Sequence, residues 1–329
     1  MTESVPEPGS EESSIAQVST YYRKTKESLG NFIVGNEDVI DTILVALFSR
    51  GHVLIEGIPG TAKTSIAKSI AHISGCRFNR IQGAVDIQPA DMLGISIYDS
   101  QNQKFVPRFG PVFTNVLLVD EINRINPKAQ SAFIEAMSEH QVTFDGATTQ
   151  LPSPFFVIAT QNPHEFDGSF PLIEVQRDRF MFSLHTEHLE PEKELELLQR
   201  ASSGILYFQR FESSVLPILD KIRLDTMIRS IESVRIEGPI LEYIRDLIIG
   251  CRNHPDVDLG PSSRASIAFV NGSRAKAAFE GRNYVIPDDV RAIAPAVLGH
   301  RIILTQDGRT QGLDTYDVIT EVLGTTEVL

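Results

Sequence analysis

Cysteine is scarce in this sequence of 329 residues: only Cys76 and Cys251 are present, far apart and without the spacing of metal ligands. This scarcity excludes a disulfide framework and predicts two core thiols in a reducing compartment. Apolar runs long enough to cross a bilayer are also lacking, because polar residues interrupt each one. The first residues lack the basic-then-apolar pattern of a signal peptide. These absences predict a cytoplasmic protein that is not inserted in a membrane.

Positive charge is in deficit, because 30 Lys and Arg residues stand against 43 Asp and Glu, for a formal net charge of −13. Proteins that bind the phosphate backbone of nucleic acids along their surface are usually basic, and this chain is acidic. The overall charge does not exclude a local basic patch. Nucleic acid is therefore a disfavoured partner. Residues 1–14 combine four glutamates with Pro, Gly and Ser and have no basic residue, which predicts a disordered acidic leader.

Alternating strand and helix patterns follow the leader, and we assign residues 15–186 to an α/β domain, since a chain of this length is expected to form two domains. A helix is expected after Asn36, an N-cap residue type, and it ends at Gly51. A β-hairpin is expected to turn at Asp145-Gly146. Five short apolar runs fit the buried strands of a parallel sheet: His52–Glu56, Arg77–Ile81, Asn115–Val119, Pro154–Thr160 and Phe180–Leu184.

Strand patterns fade after residue 186, and we expect residues 187–329 to form a smaller, all-α domain. Three prolines in this region stand where the first turn of a helix tolerates them. The segments with helical spacing are Pro191–Ala201, Leu224–Val234, Pro239–Asn253, Arg264–Phe279, Pro287–Ala294 and Thr315–Leu323.

A glycine-containing loop joins the first predicted strand to a helix. Residues 57–64 match the Walker A pattern G-x-x-x-x-G-K-[ST], except that Ala62 replaces the last glycine. Such a loop aims backbone N–H groups and a helix N-terminus at phosphate. Lys63 would reach the β- and γ-phosphates, Thr64 would bind Mg²⁺, and Ala62 is expected to adopt a backbone geometry that does not require glycine. The alternative is an ordinary glycine turn. The predicted nucleotide-binding residues here are Gly57, Pro59, Gly60, Thr61, Ala62, Lys63 and Thr64.

Two acids end the third apolar run, at the edge where α/β folds bind ligands. Asp120 would hold Mg²⁺ in the manner of a Walker B acid, and Glu121 would orient and polarise the attacking water. The alternative, that these acids cap the next helix, is disfavoured because Asn126 and Pro127 already mark the start of that helix. Asn162 follows the fourth run, where its amide could contact the γ-phosphate, although Asn-Pro is also common in turns.

These motifs belong to a longer ordered run that closely resembles the MoxR family of AAA+ ATPases. The similarity extends from about residue 20 to near the C-terminus. The residues that carry it are Gly110-Pro111-Val112-Phe113-Thr114-Asn115, Asp120-Glu121-Ile122-Asn123-Arg124, Pro127-Lys128-Ala129-Gln130-Ser131-Ala132, Glu135-Ala136-Met137, Ala159-Thr160-Gln161-Asn162-Pro163, Asp178-Arg179-Phe180, Arg264-Ala265 and Tyr284-Val285-Ile286-Pro287-Asp288-Asp289-Val290.

The resemblance implies a P-loop AAA+ core with a five-stranded parallel sheet, a helical lid, and ATP with Mg²⁺ bound between them. It assigns Asn162 to the sensor 1 position and Arg264 to the sensor 2 position, reaching the γ-phosphate from the lid. The segment Ile33-Val34-Gly35 matches the part that packs on adenine. Arg179 matches the arginine finger that acts on the adjacent subunit's ATP, although Arg177 competes for this role because the family more often has Leu there.

The resemblance also implies a ring, usually a hexamer, in which residues 86–94 and the hairpin near Gly146 face the pore. Proteins of the family act as chaperone-like remodellers of protein clients, often with partners that contain a von Willebrand factor A domain. Three other functions stay open for the sequence: a nucleic-acid motor, the motor subunit of a metal chelatase, and an ATP-gated scaffold with little turnover. The first is disfavoured by the acidic balance.

Overall fold

The computed structural model of the chain describes residues 8–57, 62–144, 146–162, 168–204 and 208–328, with side chains from residue 14 onward. The predicted site residues Pro59, Gly60 and Thr61, and the hairpin residue Asp145, lie outside the described residues. The strands are β1 Val53–Gly57, β2 Phe78–Gln82, β3 Gly94–Asp99, β4 Lys104–Phe109, β5 Val116–Asp120, β6 Gln141–Phe144, β7 Ala147–Gln150, β8 Phe156–Gln161, β9 Phe182–Thr186, β10 Val257–Leu259 and β11 Ile303–Leu304.

Helices occupy both faces of the sheet and most of the C-terminal part. They are α1 Pro8–Gly30, α2 Glu37–Phe48, α3 Lys63–Ile73, α4 Pro89–Leu93, α5 Pro127–Glu139, α6 Glu174–Arg177, α7 Pro191–Ser202, α8 Phe208–Ser214, α9 Lys221–Ile231, α10 Gly238–Asn253, α11 Ser263–Phe279, α12 Pro287–Leu298, α13 Gln306–Thr310 and α14 Thr315–Thr325. Each helix in the described residues is too short or too polar to cross a membrane.

The central sheet has the strand order β2-β5-β8-β1-β9, and all its neighbouring strands run parallel. This confirms the predicted five-stranded parallel sheet. Side chains alternate between two apolar clusters, since Val53 and Ile55 join one cluster and Leu54 joins the other. Both faces of the sheet are therefore covered, which explains why its strands appear as continuous apolar runs. The carboxyl ends of β1, β5 and β8 meet at one edge.

The C-terminal part is a helical lid, but it is not all-α as predicted. β10 and β11 pair antiparallel within it. The prediction missed these strands because they have only three and two residues, too few for a period of two to be visible.

The predicted leader is in part helical, which corrects the expectation of disorder over residues 1–14. Helix α1 begins at Pro8 and packs against α2, α3, α9 and α11. The ring of Tyr22 stacks on that of Phe279, with centroids 4.3 Å apart, and the Tyr21 hydroxyl bonds that of Ser74 at 2.9 Å. Tertiary contacts of its C-terminal half thus stabilise a helix whose first residues favour disorder by composition.

Two β-hairpins project from the core. Strands β6 and β7 form the predicted one, with Val142 opposite Thr149. The other, β3–β4, was not predicted, because exposed large apolar side chains lie on both of its faces and Pro107 interrupts the strand pattern. Ile95, Tyr98 and Phe105 are 45%, 53% and 67% exposed, so burial does not explain this hairpin.

Candidate functional site

A cavity of about 390 Å³ opens at the carboxyl edge of the sheet, where β1, β5 and β8 end. It brings together Lys63, Thr64, Asp120, Glu121 and Asn162, which lie on separate segments of the chain. The lining residues are Gly57, Ala62, Lys63, Thr64, Ser65, Arg80, Gln82, Asp120, Glu121, Thr160, Gln161 and Asn162. We call this the phosphate-loop cavity. The cavity is therefore lined by cationic, carboxylate, hydroxyl and amide side chains.

Lys63, at the first position of α3, is one of the two cations among the described residues that line the cavity, with Arg80 the other. Lys63 Nζ donates to the carbonyl oxygen of Gly57 at 3.0 Å, which links the start of α3 to the end of β1. Burial lowers the pKa of Lys63, and the nearby Asp120 carboxylate partly opposes that shift. Gly57 has φ +154°, and a Cβ there would lie 2.1 Å from the Thr186 hydroxyl oxygen. Glycine is thus required where β1 passes β9.

Ala62 corrects a prediction, because its backbone is of the kind that favours glycine. Its φ is +57° and its ψ is 14°, in the left-handed region. The Cβ of an L-residue in that region costs about 1–2 kcal/mol. The alanine therefore retains strain at the N-terminus of α3.

Replacing Ala62 by glycine is expected to raise the free energy of unfolding by up to about 1 kcal/mol. Relief of the left-handed strain exceeds the roughly 0.5–1 kcal/mol that glycine's freedom in the unfolded chain costs. Thermal and urea unfolding would measure the change. The matched control is Ala67→Gly within α3, which is expected to destabilise by about 1 kcal/mol or more. Equal destabilisation by both changes would contradict the strain at Ala62.

The Asp120 carboxylate is held by two side chains that sequence reasoning missed. The Thr160 hydroxyl donates to its Oδ1 at 2.6 Å, and Arg80 Nη2 donates to its Oδ2 at 2.7 Å. Thr160 is the last residue of the fourth predicted strand, two residues before Asn162. Its position in the sequence could therefore have identified it as a residue of the site. Arg80 could not be found this way, because it reaches the cavity only through the pairing of β2 with β5.

Glu121 follows Asp120 in a left-handed conformation, with φ +55°. Its N–H donates to the Thr160 hydroxyl at 3.0 Å, and its Oε2 accepts from Arg124 Nη1 at 3.2 Å. It does not cap the helix that follows. Asn126 does so by accepting from the Ala129 N–H at 3.1 Å. The predicted reason for rejecting a capping role is therefore confirmed, and the acid projects from a sharp turn at the sheet edge.

Asn162 lies beside these acids, after the end of β8. Its carbonyl oxygen accepts from Asn123 Nδ2 at 3.3 Å, while its neighbour Gln161 donates to Glu56 Oε1 at 2.6 Å. Arg177 Nη2 lies 3.6 Å from the same Glu56 oxygen. Arg177 and Arg179 were the two candidates for the arginine finger. Arg177 is paired within its own subunit, with a residue of β1.

Arg179 and Arg264 line a second cavity, of about 290 Å³, which we call the arginine cavity. Within the described residues Arg264 Nη1 lies 3.4 Å from Asp178 Oδ2, and Arg264 does not line the phosphate-loop cavity, so its contact with the γ-phosphate stays a prediction. Arg264 is placed here by the docking of α11 against α1, α2 and α12. A Cβ at Gly272 would lie 2.9 Å from the Phe182 ring, so glycine lets α11 approach β9 closely.

The positive charge of the arginine cavity comes from arginines, not histidines. Burial and the neighbouring His140 lower the pKa of His52 to about 3, so its ring is neutral near pH 7. Its Nδ1 accepts from the Val157 N–H at 3.1 Å. Arg50, Arg179, Arg264 and Arg301 all line this cavity.

The segment Ile33-Val34-Gly35 lines a third cavity, of about 330 Å³, between α1 and α7. Ile33 and Val34 are buried, while Gly35 has φ +67° and would place a Cβ 2.7 Å from Leu189 Cδ2. Basic side chains of both helices also line this cavity, namely Arg23, Lys26, Lys193 and Arg200. Ile33 and Val34 thus form an apolar part of this cavity, and the contact with adenine that the family resemblance implies stays a prediction.

Comparison with known proteins agrees with this fold and site. Residues 52–182 match the model of the ATPase family associated with various cellular activities (AAA), and residues 250–322 match an AAA lid domain. The chain is 39% identical to the uncharacterized protein YeaC of Bacillus subtilis, over 93% of this chain and 94% of that protein. It is 37% identical to Chaperone MoxR1 of Mycobacterium tuberculosis, over 97% and 85% of the two chains.

The crystal structure of a proposed ATPase from Cytophaga hutchinsonii superposes with a TM-score of 0.89 at 34% identity, covering 98% of both chains. Fold, site and relatives together define an AAA+ ATPase with a helical lid. The chain belongs to the MoxR family of these ATPases.

Proposed function

We propose that this ATPase binds Mg²⁺-ATP in the phosphate-loop cavity and uses its hydrolysis, in a ring of subunits, to remodel protein clients. The observation that carries the proposal is the convergence of Lys63, Thr64, Asp120, Glu121 and Asn162 on one cavity at the carboxyl edge of a parallel sheet. Ligands bind at that edge in open α/β sheets.

The residues present fit Mg²⁺ and triphosphate as a pair. The Thr64 hydroxyl and the Asp120 carboxylate supply the hard oxygen ligands that Mg²⁺ prefers, and both line the cavity. The described residues contain no group of three or more His, Cys, Asp or Glu side chains arranged to bind a metal. A Mg²⁺ site made of one or two protein ligands with phosphate oxygens and water fits this donor set. The ion would neutralise charge that develops on the phosphates.

The chain's own residues would perform the remaining chemistry. Lys63 would bind the β- and γ-phosphates, and its half-buried position strengthens that attraction. Glu121 would polarise the attacking water once its carboxylate leaves Arg124, and Asn162 would orient the water and the γ-phosphate. Ile33, Val34 and Gly35 would pack on adenine. Gly57, Gly60, Thr61 and Ala62 would surround the phosphates with backbone N–H groups, and Pro59, which has no N–H, would lie among them in the same loop.

The arginine cavity supports completion of each site by a neighbouring subunit. Arg179 and Arg264 line a cavity other than their own subunit's phosphate-loop cavity. Cations so placed can stabilise charge on a transferred phosphoryl group only if a second copy brings its nucleotide to them. A heterologous contact of this kind forms a ring when its rotation closes. We propose a hexamer in which Arg179 is the arginine finger and Arg264 acts beside it.

The two hairpins, β3–β4 and β6–β7, would bind the client proteins. Ile95, Tyr98 and Phe105 on β3–β4 are exposed apolar side chains of the kind that contact unfolded or non-native segments. Chaperone MoxR1 is a relative of this chain over nearly its whole length. We propose protein clients in the cytoplasm, engaged with partners that contain a von Willebrand factor A domain.

Replacing Lys63 by alanine is expected to weaken ATP binding by roughly 10- to 150-fold in Kd. The loss corresponds to about 1.5–3 kcal/mol for a hydrogen bond to a charged group. Isothermal titration calorimetry with ATP, and phosphate release at saturating ATP, would measure it. Lys128→Ala, at an exposed position of α5, is the matched control and should leave both readings unchanged. An unaltered Kd in Lys63→Ala would refute the role of Lys63.

A further inference from the structure

One carboxylate, that of Asp178, contacts two of the four described arginines that line the arginine cavity, Arg264 and Arg301. It follows α6 and directly precedes Arg179 in the chain. Its Oδ1 accepts from Arg301 Nε at 2.8 Å, and its Oδ2 lies 3.4 Å from Arg264 Nη1. The side chain of Asp178 is 17% exposed and that of Arg301 only 2%. This pair is therefore shielded from water far more than a surface ion pair.

The backbone on both sides of Arg179 is held by the same buried arginine. Arg301 Nη2 donates to the carbonyl oxygens of Asp178, at 3.2 Å, and of Phe180, at 2.6 Å, while Nη1 donates to that of Met181 at 3.0 Å. Arg301 lies just after α12, in the lid. The position of Arg179, in the core, is thus determined by a side chain of the lid.

The start of α11, which carries Arg264, is tied to the same carboxylate. The Ser262 hydroxyl lies 3.0 and 2.8 Å from the two oxygens of Asp178, and its oxygen accepts from the Arg264 N–H at 3.1 Å. Ser262 is the N-cap of α11. A single hydroxyl therefore connects Asp178 to the first turn of the helix that presents Arg264.

We propose that Asp178 is a positioning residue that holds Arg179 and Arg264 as one rigid pair directed at the neighbouring subunit's nucleotide. This inference rests on the proposed completion of the site by a neighbour. Arg179, Arg264 and Arg301 repel one another, and the negative charge of Asp178 among them offsets that repulsion. Asp178 belongs to the core, and its carboxylate bonds Ser262, Arg264 and Arg301 of the lid, so a shift of the lid moves both arginines together.

Asp178→Asn tests the inference, since the amide keeps the shape and removes the charge. We expect kcat to fall by up to about 100-fold, the effect of misplacing a catalytic group by roughly 1 Å. The Kd for ATP should stay at the parental value, because Asp178 does not line the phosphate-loop cavity. Asp246→Asn is the control: this carboxylate pairs with Arg245 on the exposed face of α10 and should not affect either quantity. Parental kcat in Asp178→Asn would overturn the inference.

Mixed rings distinguish positioning from a general loss of structure. A subunit with Asp178→Asn has an intact phosphate-loop cavity, and a subunit with Lys63→Ala has intact arginines. Mixing them should restore hydrolysis at intermediate ratios, whereas a misfolded subunit would restore none. The reference is a mixture of Arg179→Ala and Lys63→Ala subunits. If the reference recovers and the Asp178→Asn mixture does not, the positioning role is wrong. If the reference fails too, with subunit exchange demonstrated, the proposed neighbour-completed site is wrong.

Ser262→Ala provides a second variant in case Asp178→Asn fails to fold. It removes the link between Asp178 and α11 but leaves the Asp178–Arg301 pair in place. We expect unchanged ATP binding, a smaller fall in kcat, and recovery in the same mixture with Lys63→Ala subunits. A folded Ser262→Ala protein with parental kcat, or with a loss that mixing does not restore, would overturn the coupling of Arg264 to Asp178.

Discussion

Arg179→Ala is expected to leave ATP binding intact and to lower kcat by up to about 10³–10⁵-fold, the range for arginine fingers in phosphoryl transfer. The reason is geometric, because Arg179 lines the arginine cavity and not the phosphate-loop cavity of its own chain. Single-turnover and steady-state phosphate release, together with calorimetric ATP titration, would measure the two quantities. A parallel loss of ATP affinity would argue for a role within the same subunit.

The choice between the two neighbouring arginines follows from the same measurement. Arg177 contacts Glu56 in its own subunit, so Arg177→Ala is the matched control for Arg179→Ala. Mixtures of Arg179→Ala with Lys63→Ala subunits should recover hydrolysis, since an intact Arg179 then faces an intact Lys63 site. If subunits exchange and recovery occurs only with Arg177→Ala, the finger is Arg177.

Glu121→Gln is expected to bind ATP with parental affinity and to hydrolyse it about 10²–10⁴-fold more slowly, the usual contribution of a positioned general base. The amide keeps the shape of the side chain but cannot accept the proton of the attacking water. Phosphate release and calorimetric ATP titration would be measured on the same preparation. Because hydrolysis stops while ATP stays bound, analytical ultracentrifugation of this variant with ATP should detect an assembled ring.

The control for this variant is Glu135→Gln, at an exposed position of α5. It makes the same chemical change away from the cavity and should retain parental turnover. Glu121→Gln with a turnover equal to that of Glu135→Gln would remove Glu121 from the catalytic role. An inactive variant that has also lost ATP affinity would indicate collapse of the β5 turn instead.

The sequence by itself determined the sheet and several of the residues that line the phosphate-loop cavity. The predicted strands agree with β1, β2, β5, β8 and β9 because parallel strands buried on both faces must be apolar throughout. Lys63, Asp120, Glu121 and Asn162 were predictable because each follows a strand end closely in sequence. Strand ends of a parallel sheet meet at one edge, so local spacing was enough to bring these side chains together.

Other features depended on contacts between distant segments, which spacing along the chain does not encode. Arg80 reaches Asp120 only through the pairing of β2 with β5. Helix α1 extends into the predicted leader, and its remaining turns pack on α9 and α11. The large apolar side chains of β3–β4 are exposed, so burial does not impose an alternation of apolar and polar residues on these strands. The sequence therefore did not predict them.

Only the tertiary structure decided the position of Arg264, at the start of α11 in the lid. Motif position assigned Arg264 to the γ-phosphate, and this contact stays a prediction. The structure shows that α11 docks on the β9 side of the sheet, where Gly272 permits a close approach to Phe182. That docking brings Arg264 to Asp178 and Arg179, some 85 residues earlier in the chain. The orientation of one domain on another follows from the fit of their packed surfaces, whereas the residues at a strand end follow from the local sequence.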